Sequence, residues 1–390
     1  MRQSLLHLLV LRKLGYKGSR AARKRILFNF LLITLVVSAL VFAQIFVVSM
    51  SRGIADKYAL LGNGHLQIHE QPPLVLPDTE GILDVQLVAQ SYALIYSPAG
   101  NKMVRIKGVE DGYFNNMRTQ QITLQEGIPS EQTTLEKVLL STTLAKELQV
   151  GIGDRIALML VRDERIRPQL CVVENLYDSG YRELDGNLAF CDYALMHRLF
   201  NGEEETYYEL LVAQDRVDQL KQSLKETGYA VTSWDEENYT IATNLNTSRQ
   251  AVLGVMIAVA ILCGYFISEL SRELVEDDKY QIAMLTLLGA RHTLIRKVYF
   301  RTVLLVTVLS LLGGTLLGIL LSQNLSPLLS MIAERSIPSL SYYLLEFTVV
   351  YPVQDILVIV LVLLFVSILS VQFSLRRVKR IEPLSCTHFD

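Results

Sequence analysis

The sequence predicts an α-helical membrane protein with four transmembrane helices and a large α+β periplasmic domain inserted between helices 1 and 2. Three observations predict it. Of 390 residues, 51% are hydrophobic and only 19% charged. The apolar residues gather in four charge-free blocks, each near the ~20 residues that a helix needs to cross about 30 Å of hydrocarbon. Lys and Arg crowd three of the flanking segments and nearly avoid the fourth. The net charge of −2 decides little, because its distribution matters more than its sum.

Residues 1–25 form a basic, amphipathic, cytoplasmic approach to the membrane. Leu5, Leu6, Leu9 and Val10 would face lipid there, with Arg12 and Lys13 at the headgroups; a solvated lead-in is the other reading. Residues 26–50 are the first span. They are too long for a cleavable leader, and "VVSMSRGIADKY" offers no small-x-small cleavage site. The periplasmic domain occupies 51–250, the second span 251–270, and a cytoplasmic loop 271–300. The third span is 301–323, followed by a short periplasmic loop at 324–352, the fourth span at 353–375 and a cytoplasmic tail at 376–390. The spans lack strand alternation, and only helices or closed barrels satisfy the backbone in lipid.

Orientation comes from the basic residues. Arg12, Lys13, Lys17, Arg20, Arg23, Lys24 and Arg25 precede the first span, and Arg376, Arg377, Lys379 and Arg380 follow the fourth. Arg272, Lys279, Arg291, Arg296 and Lys297 lie between spans two and three, whereas 324–352 holds only Arg335. Positive residues stay inside, so both termini are expected in the cytoplasm of a bacterial inner membrane.

In the domain, "GHLQIHE" (64–70) and "NKMVRIKGVE" (101–110) alternate like strands. "GDRIALMLV" (153–161) follows a glycine turn, and "PPLVLP" (72–77) reads as an extended connector. "TLEKVLLSTTLAKELQV" (134–150) and "RVDQLKQSLKETGY" (216–229) have apolar residues three and four apart and are expected as helices. So are "SRGIADKYALLG" and "SWDEENYTIATNLNTSRQ", which extend spans one and two beyond the membrane.

Several chemistries are missing. There is no Gly-x-x-x-x-Gly-Lys-Ser/Thr loop, no Gly-x-Ser-x-Gly elbow and no His-Glu-x-x-His helix. The spans carry almost no ionisable groups, with Glu269 and Asp355 at their ends, which disfavours an ion-driven carrier or an intramembrane protease. No catalytic residue and no metal site is expected. His65 and His69, four apart on a strand, stand ~13 Å apart, too far for one ion. Cys171 and Cys191 are exported; either they form a disulfide or they are two buried free thiols. Cys263 lies in a span and Cys386 in the tail.

The loop between spans two and three is patterned. "DDKYQIAMLTLLGARHTLIRK" (277–297) places Ile282, Leu285 and Leu288 on one helical face, broadened by Met284 and Leu287. Gly289 is a natural stop, and "ELVEDD" puts acid toward the helix N-terminus. That stripe must bury itself on the bilayer surface or in a groove of another protein.

The same residues carry a resemblance. "QIAMLTLLGARHTLIRKVYFRTVLLVTVLSLLGGTLLGILLSQ" (281–323) resembles the permease subunits of the MacB/FtsX/lipoprotein-releasing (LolC/LolE-like) superfamily of ABC transporters. "STTLAKELQVGIGDRIAL" (141–158) is similar to that family's A-x-x-L-x-x-x-x-G-D element, and "LYDSGYRELDGNLAF" (176–190) to its F-x-S/T-G-x-x-E-x-D segment. The tail "RRVKRIEPLSC" is similar to its ending. The resemblance implies a coupling helix at 279–290, seated in the cleft of a separate ATPase. Lys279, Gln281, Ile282, Leu285, Leu288, Gly289 and Ala290 would be its contacts, with Gln281 replacing the usual Glu.

It implies a cytoplasmic ABC ATPase dimer that binds ATP and Mg, no cofactor in this chain, and a second copy or homologous permease. A periplasmic adaptor or carrier and membrane lipids complete the expected partners; nucleic acid is not among them. A hydrophobic or lipid-linked substrate would enter between helices 1 and 2, where Ile33, Val37, Leu40, Val48 and Met256 either line the entry or serve as lipid-facing or core residues. The family's carrier-binding arm corresponds to the shorter, charged "VRDERIRPQL" (161–170). Gly314 and Gly318, one turn apart, suit close helix packing, within the chain or between copies. An FtsX-like relay to a cell-wall hydrolase, without transport, is the alternative.

Overall fold

The computed structural model describes residues 20–69, 76, 80–120, 122–125, 135–162, 165–200, 204–324, 327 and 348–375. The basic approach at 1–19, nearly all of "PPLVLP", most of the 324–352 loop and the tail at 376–390 lie outside them. The chain divides into two compact units, one of long helices and one built on Met50–Leu245.

Four helices are long and apolar enough to cross a membrane. The first runs Arg20–Lys57 and passes into a π-helical turn, Tyr58–Asn63. The second is Tyr239–Asp277, the third His292–Ser322 and the fourth Val353–Ser374. None has a proline in its interior, so nothing interrupts the i→i−4 ladder. Their shared core includes Ile33, Val37, Val41, Cys263, Ile267, Val303 and Leu363.

Glycine sets the closest approaches. A Cβ on Gly314 would stand 2.7 Å from the Thr34 carbonyl oxygen, and one on Gly318 would stand 2.9 Å from that of Ser38. The small residues of the third span therefore seat the first span of the same chain. At one end of the bundle, Gln44 Nε2 and Arg249 Nη2 both donate to Asp355 Oδ2 at 2.8 Å, joining the first, second and fourth helices. Asp355 occupies the first turn of its helix, where the dipole favours a carboxylate.

The second unit is built on one sheet. Its strands are β1 Leu66–Ile68, β2 Ile82–Ser97, β3 Gly100–Val109, β4 Thr123–Leu124, β5 Glu136–Ser141, β6 Arg155–Arg162, β7 Arg165–Asp178, β8 Leu188–Asp192, β9 Glu205–Val212 and β10 Val231–Ser233. They lie in the order β10-β1-β9-β2-β3-β8-β5-β7-β4, with β6 against β2 and β7. The β3/β8 and β5/β7 pairs are parallel and the rest antiparallel. One face buries Ala93, Ile95, Val104, Ile106 and Leu140 with Leu144, Leu148 and Met196 from short helices. Another cluster packs Tyr58 and Leu61 of the π turn against Tyr113, Tyr177, Phe190 and Tyr207.

One expectation is corrected here and one open alternative is decided. The stretch 134–150 is not one helix: Glu136–Ser141 is a strand and only Thr142–Leu148 is helical. Val138 and Leu140 are buried between the neighbours β7 and β8, and Ser141 Oγ accepts from Leu144 N to cap the helix. Cys171 and Cys191 form no disulfide; both are free and buried. The intervening strand β5 separates them, Cys171 lying opposite Glu136 and Cys191 opposite Val138. Two strand spacings are roughly 10 Å, beyond disulfide reach.

The quoted turn motifs have local causes. Asp154 Oδ2 accepts from Gly151 N at 2.7 Å while Gly153 takes φ +91°. In 177–185, both Asp185 oxygens accept from Ser179 N, and Gly180 sits at φ +73°. Among the described residues no group of three His, Cys, Asp or Glu could hold a metal. His65 Nδ1 instead accepts from Val212 N.

Candidate docking helix between the second and third spans

The loop forms a helix, Lys279–Leu287. Asp278 does not cap it with its side chain; its carboxylate accepts from the Tyr299 hydroxyl at 2.7 Å instead. The other end closes by a Schellman motif. Gly289 N donates to Thr286 O and Ala290 N to Leu285 O, both at 2.9 Å, with Gly289 at φ +90°. The motif turns the chain sharply into the third span helix, leaving a short knob between two long rods.

The knob has two apolar faces. Ile282 and Ala283 point inward, and Ile282, 1% exposed, belongs to the core of the helical unit. Tyr280, Met284, Leu287 and Leu288 follow an i, i+4, i+7, i+8 pattern and are exposed, Leu288 at 78%. Leu285 borders this face at 47%. Lys279 is exposed, with Nζ 5.4 Å from the Tyr280 ring centroid.

The expected contact set therefore divides. Leu285, Leu288, Lys279 and Gly289 stand outside, whereas Ala290 packs against the helical core. Gln281 lies on the helix. Ile282 is corrected: it anchors the knob and offers no surface to a partner. Tyr280 was missed, although its spacing to Met284 and Leu287 was legible.

Of the two readings of the candidate entry residues, four side chains take the core one. Ile33, Val37, Leu40 and Met256 are buried in the helical core, and only Val48 is half-buried. Val37 lies directly against Gly314, so the third span covers it.

Comparison with known proteins bears on both units. The MacB-like periplasmic core domain model matches residues 27–227, and the FtsX-like permease C-terminal model matches 253–383. The lipoprotein-releasing system transmembrane protein LolC of Xylella fastidiosa, in strains Temecula1 and 9a5c, is 25% identical over 269 residues. That alignment spans 65% of this chain and 65% of those relatives. LolC of Haemophilus influenzae is also 25% identical, over 65% of this chain and 64% of its own.

Among solved structures, the extracellular domain of the ABC-type transporter YknZ from Gram-positive bacteria matches 40% of this chain and 82% of its own, with TM-score 0.28 and 11% identity. A permease domain from Porphyromonas gingivalis matches 43% and 90%, with TM-score 0.28 and 11% identity. The two family models follow each other along the chain, one covering more than half of it, and between them they include most of the first span helix, strands β1 to β9 and the loop helix; the chain belongs to the MacB/FtsX/LolC superfamily of ABC transporter permeases.

Proposed function

We propose that this chain is the membrane subunit of an ABC transporter whose ATPase is a separate cytoplasmic dimer. It couples ATP hydrolysis there to movement of the periplasmic domain, which extracts or exports a hydrophobic or lipid-linked, lipoprotein-like substrate. The observation that carries this reading is the outward face of the loop helix, with Tyr280, Met284, Leu287 and Leu288 exposed together on a helix whose other face is already buried. Burying one leucine is worth about 1.5–3 kcal/mol, so this face stabilises any complex with a fitting groove. Lys279, Leu285 and Gly289 border it. ATP and Mg would be held by the partner, and the chain would work beside a second permease.

The basic segments flanking the spans support a cytoplasmic location for the knob and both termini at the inner membrane. Likeness to LolC supports a lipoprotein-like substrate. The match of 253–383 to the FtsX-like model supports the other reading, a relay that activates a periplasmic hydrolase.

The test co-purifies the tagged chain with its ATPase from nanodiscs. Leu287→Asp with Leu288→Asp should abolish association; full retention overturns the coupling role. ATP turnover stimulated by lipopeptides marks transport, and turnover stimulated only by a hydrolase marks the relay.

A further inference from the structure

The first span helix ends, after its π turn, at Asn63. The last four carbonyls of any helix lack partners within it. Here buried side chains take three of them. Lys107 Nζ, on β3, donates to Leu61 O at 2.9 Å and Gly62 O at 2.8 Å. Arg118 Nε donates to Leu60 O at 3.0 Å. Arg105 Nη1 donates to the Asn63 side-chain oxygen at 3.2 Å, which also accepts from Asn238 Nδ2.

The cations are themselves fixed. Lys107 and Glu209, both fully buried, form a direct ion pair, and Tyr113 lies between them, accepting from Lys107 at 2.8 Å and donating to Glu209 at 3.0 Å. Arg118 pairs with Asp84 and stacks on the Tyr113 ring, 4.0 Å from its centroid. The C-terminal end of a helix favours cations. Burying two of them, Lys107 on β3 and Arg118 on the short helix Asn116–Thr119, is a poor route to stability, since an apolar core of the same shape serves as well. What such a network supplies is one fixed geometry.

We infer that Lys107, Arg118 and Glu209 are positioning residues that pin the outer end of the first span helix to β3 and β9, so that any displacement of that helix is delivered to the sheet. The pin rests on the permease reading only for its purpose, and its existence is measured without any ATPase.

Hydrogen exchange is followed on the full chain in nanodiscs, comparing wild type with the double variant Lys107→Met, Glu209→Gln, which removes both charges together and so keeps the domain folded. Amides of 58–66 should exchange at least about tenfold faster, with β2, β3 and β9 unchanged. Unchanged exchange at 58–66, or equal loosening of all strands, overturns the pin. In a second arm the cognate ATPase is bound and ATP added. Wild type should show a nucleotide-dependent change of exchange in β2 and β3, and the variant should lose it while hydrolysing ATP within about twofold of wild type. A variant that still shows the change overturns the pin. A wild type that binds no ATPase, or shows no change, sinks the permease reading and leaves the first arm to decide the pin.

Discussion

Tyr299 donates its hydroxyl to Asp278 Oδ2 at 2.7 Å, tying the entrance of the loop helix to the third span helix. With Ile282 buried at one end and the Gly289 turn at the other, this bond leaves the knob one orientation. Tyr299→Phe deletes this hydrogen bond, worth roughly 1 kcal/mol. The expected outcome is faster amide exchange across 279–287 and a Kd for the ATPase weakened about fivefold, with Tm nearly unchanged. Unaltered exchange would show that the bond does not orient the knob.

Ile282 and Leu288 separate anchoring from docking. Ile282→Ala opens a cavity in the helical core and should cost about 2–5 kcal/mol, read as a lower melting temperature in detergent. Leu288→Ala removes an exposed side chain and should leave melting unchanged while weakening ATPase binding. If Leu288→Ala lowered Tm as much as Ile282→Ala, the outward face would be packed in the free chain.

Gly313 and Gly314 are neighbours with opposite tolerances. A methyl at 314 meets the Thr34 carbonyl at 2.7 Å and Val37 Cβ at 2.7 Å; at 313 the nearest atom is Thr34 Cγ2 at 3.7 Å. Gly314→Ala should force the first and third spans apart and cost about 1–3 kcal/mol. Gly313→Ala should melt like wild type or slightly higher, because alanine favours the helix. Equal melting of both variants would contradict this packing.

The four apolar blocks were legible because lipid imposes a one-dimensional rule: about 20 residues without charge. Gly289 was legible because a left-handed residue at a helix end is a local requirement. Which face of 279–287 points inward was not, since Ile282 and Leu288 are equally apolar and only the neighbouring helices distinguish them. Val138–Leu140 reads as helix or strand until β7 and β8 flank it. Lys107 and Glu209 were missed because a lone charge in an alternating strand reads as a solvent face. Their burial depends on β3, β9 and the π turn, which are remote in sequence.

Cys171 and Cys191 should remain thiols under oxidation. Burial pushes the Cys171 thiol up to about 12 and Cys191 well above its usual value, which removes the reactive thiolate. In a chain carrying Cys263→Ser and Cys386→Ser, maleimide at pH 8 should label neither cysteine until denaturant is added, and then both. A band shifted by reducing agent on a gel after native oxidation would contradict the strand order that separates them.

Asp185 gives a pH dependence with a definite sign. Burial is the main cause that raises its carboxyl from 3.8 to about 7, with the nearby Asp178 charge adding to it and the Ser179 hydrogen bonds opposing it. Between those values the folded chain holds the proton more tightly than the unfolded chain. Its stabilising contribution is therefore complete below about pH 4 and is lost as pH rises through about 7. Other carboxylates trend the opposite way, so the clean quantity is the difference between Asp185→Asn and wild type. The amide stays neutral at every pH and can still accept from Ser179 N. The variant should match wild type near pH 4, become progressively more stable than it up to about pH 7, and hold that margin at higher pH. Denaturant melts followed by the fluorescence of Trp234, the chain's single tryptophan, read this out. A difference that stays flat across that range would mean that Asp185 is ionised throughout.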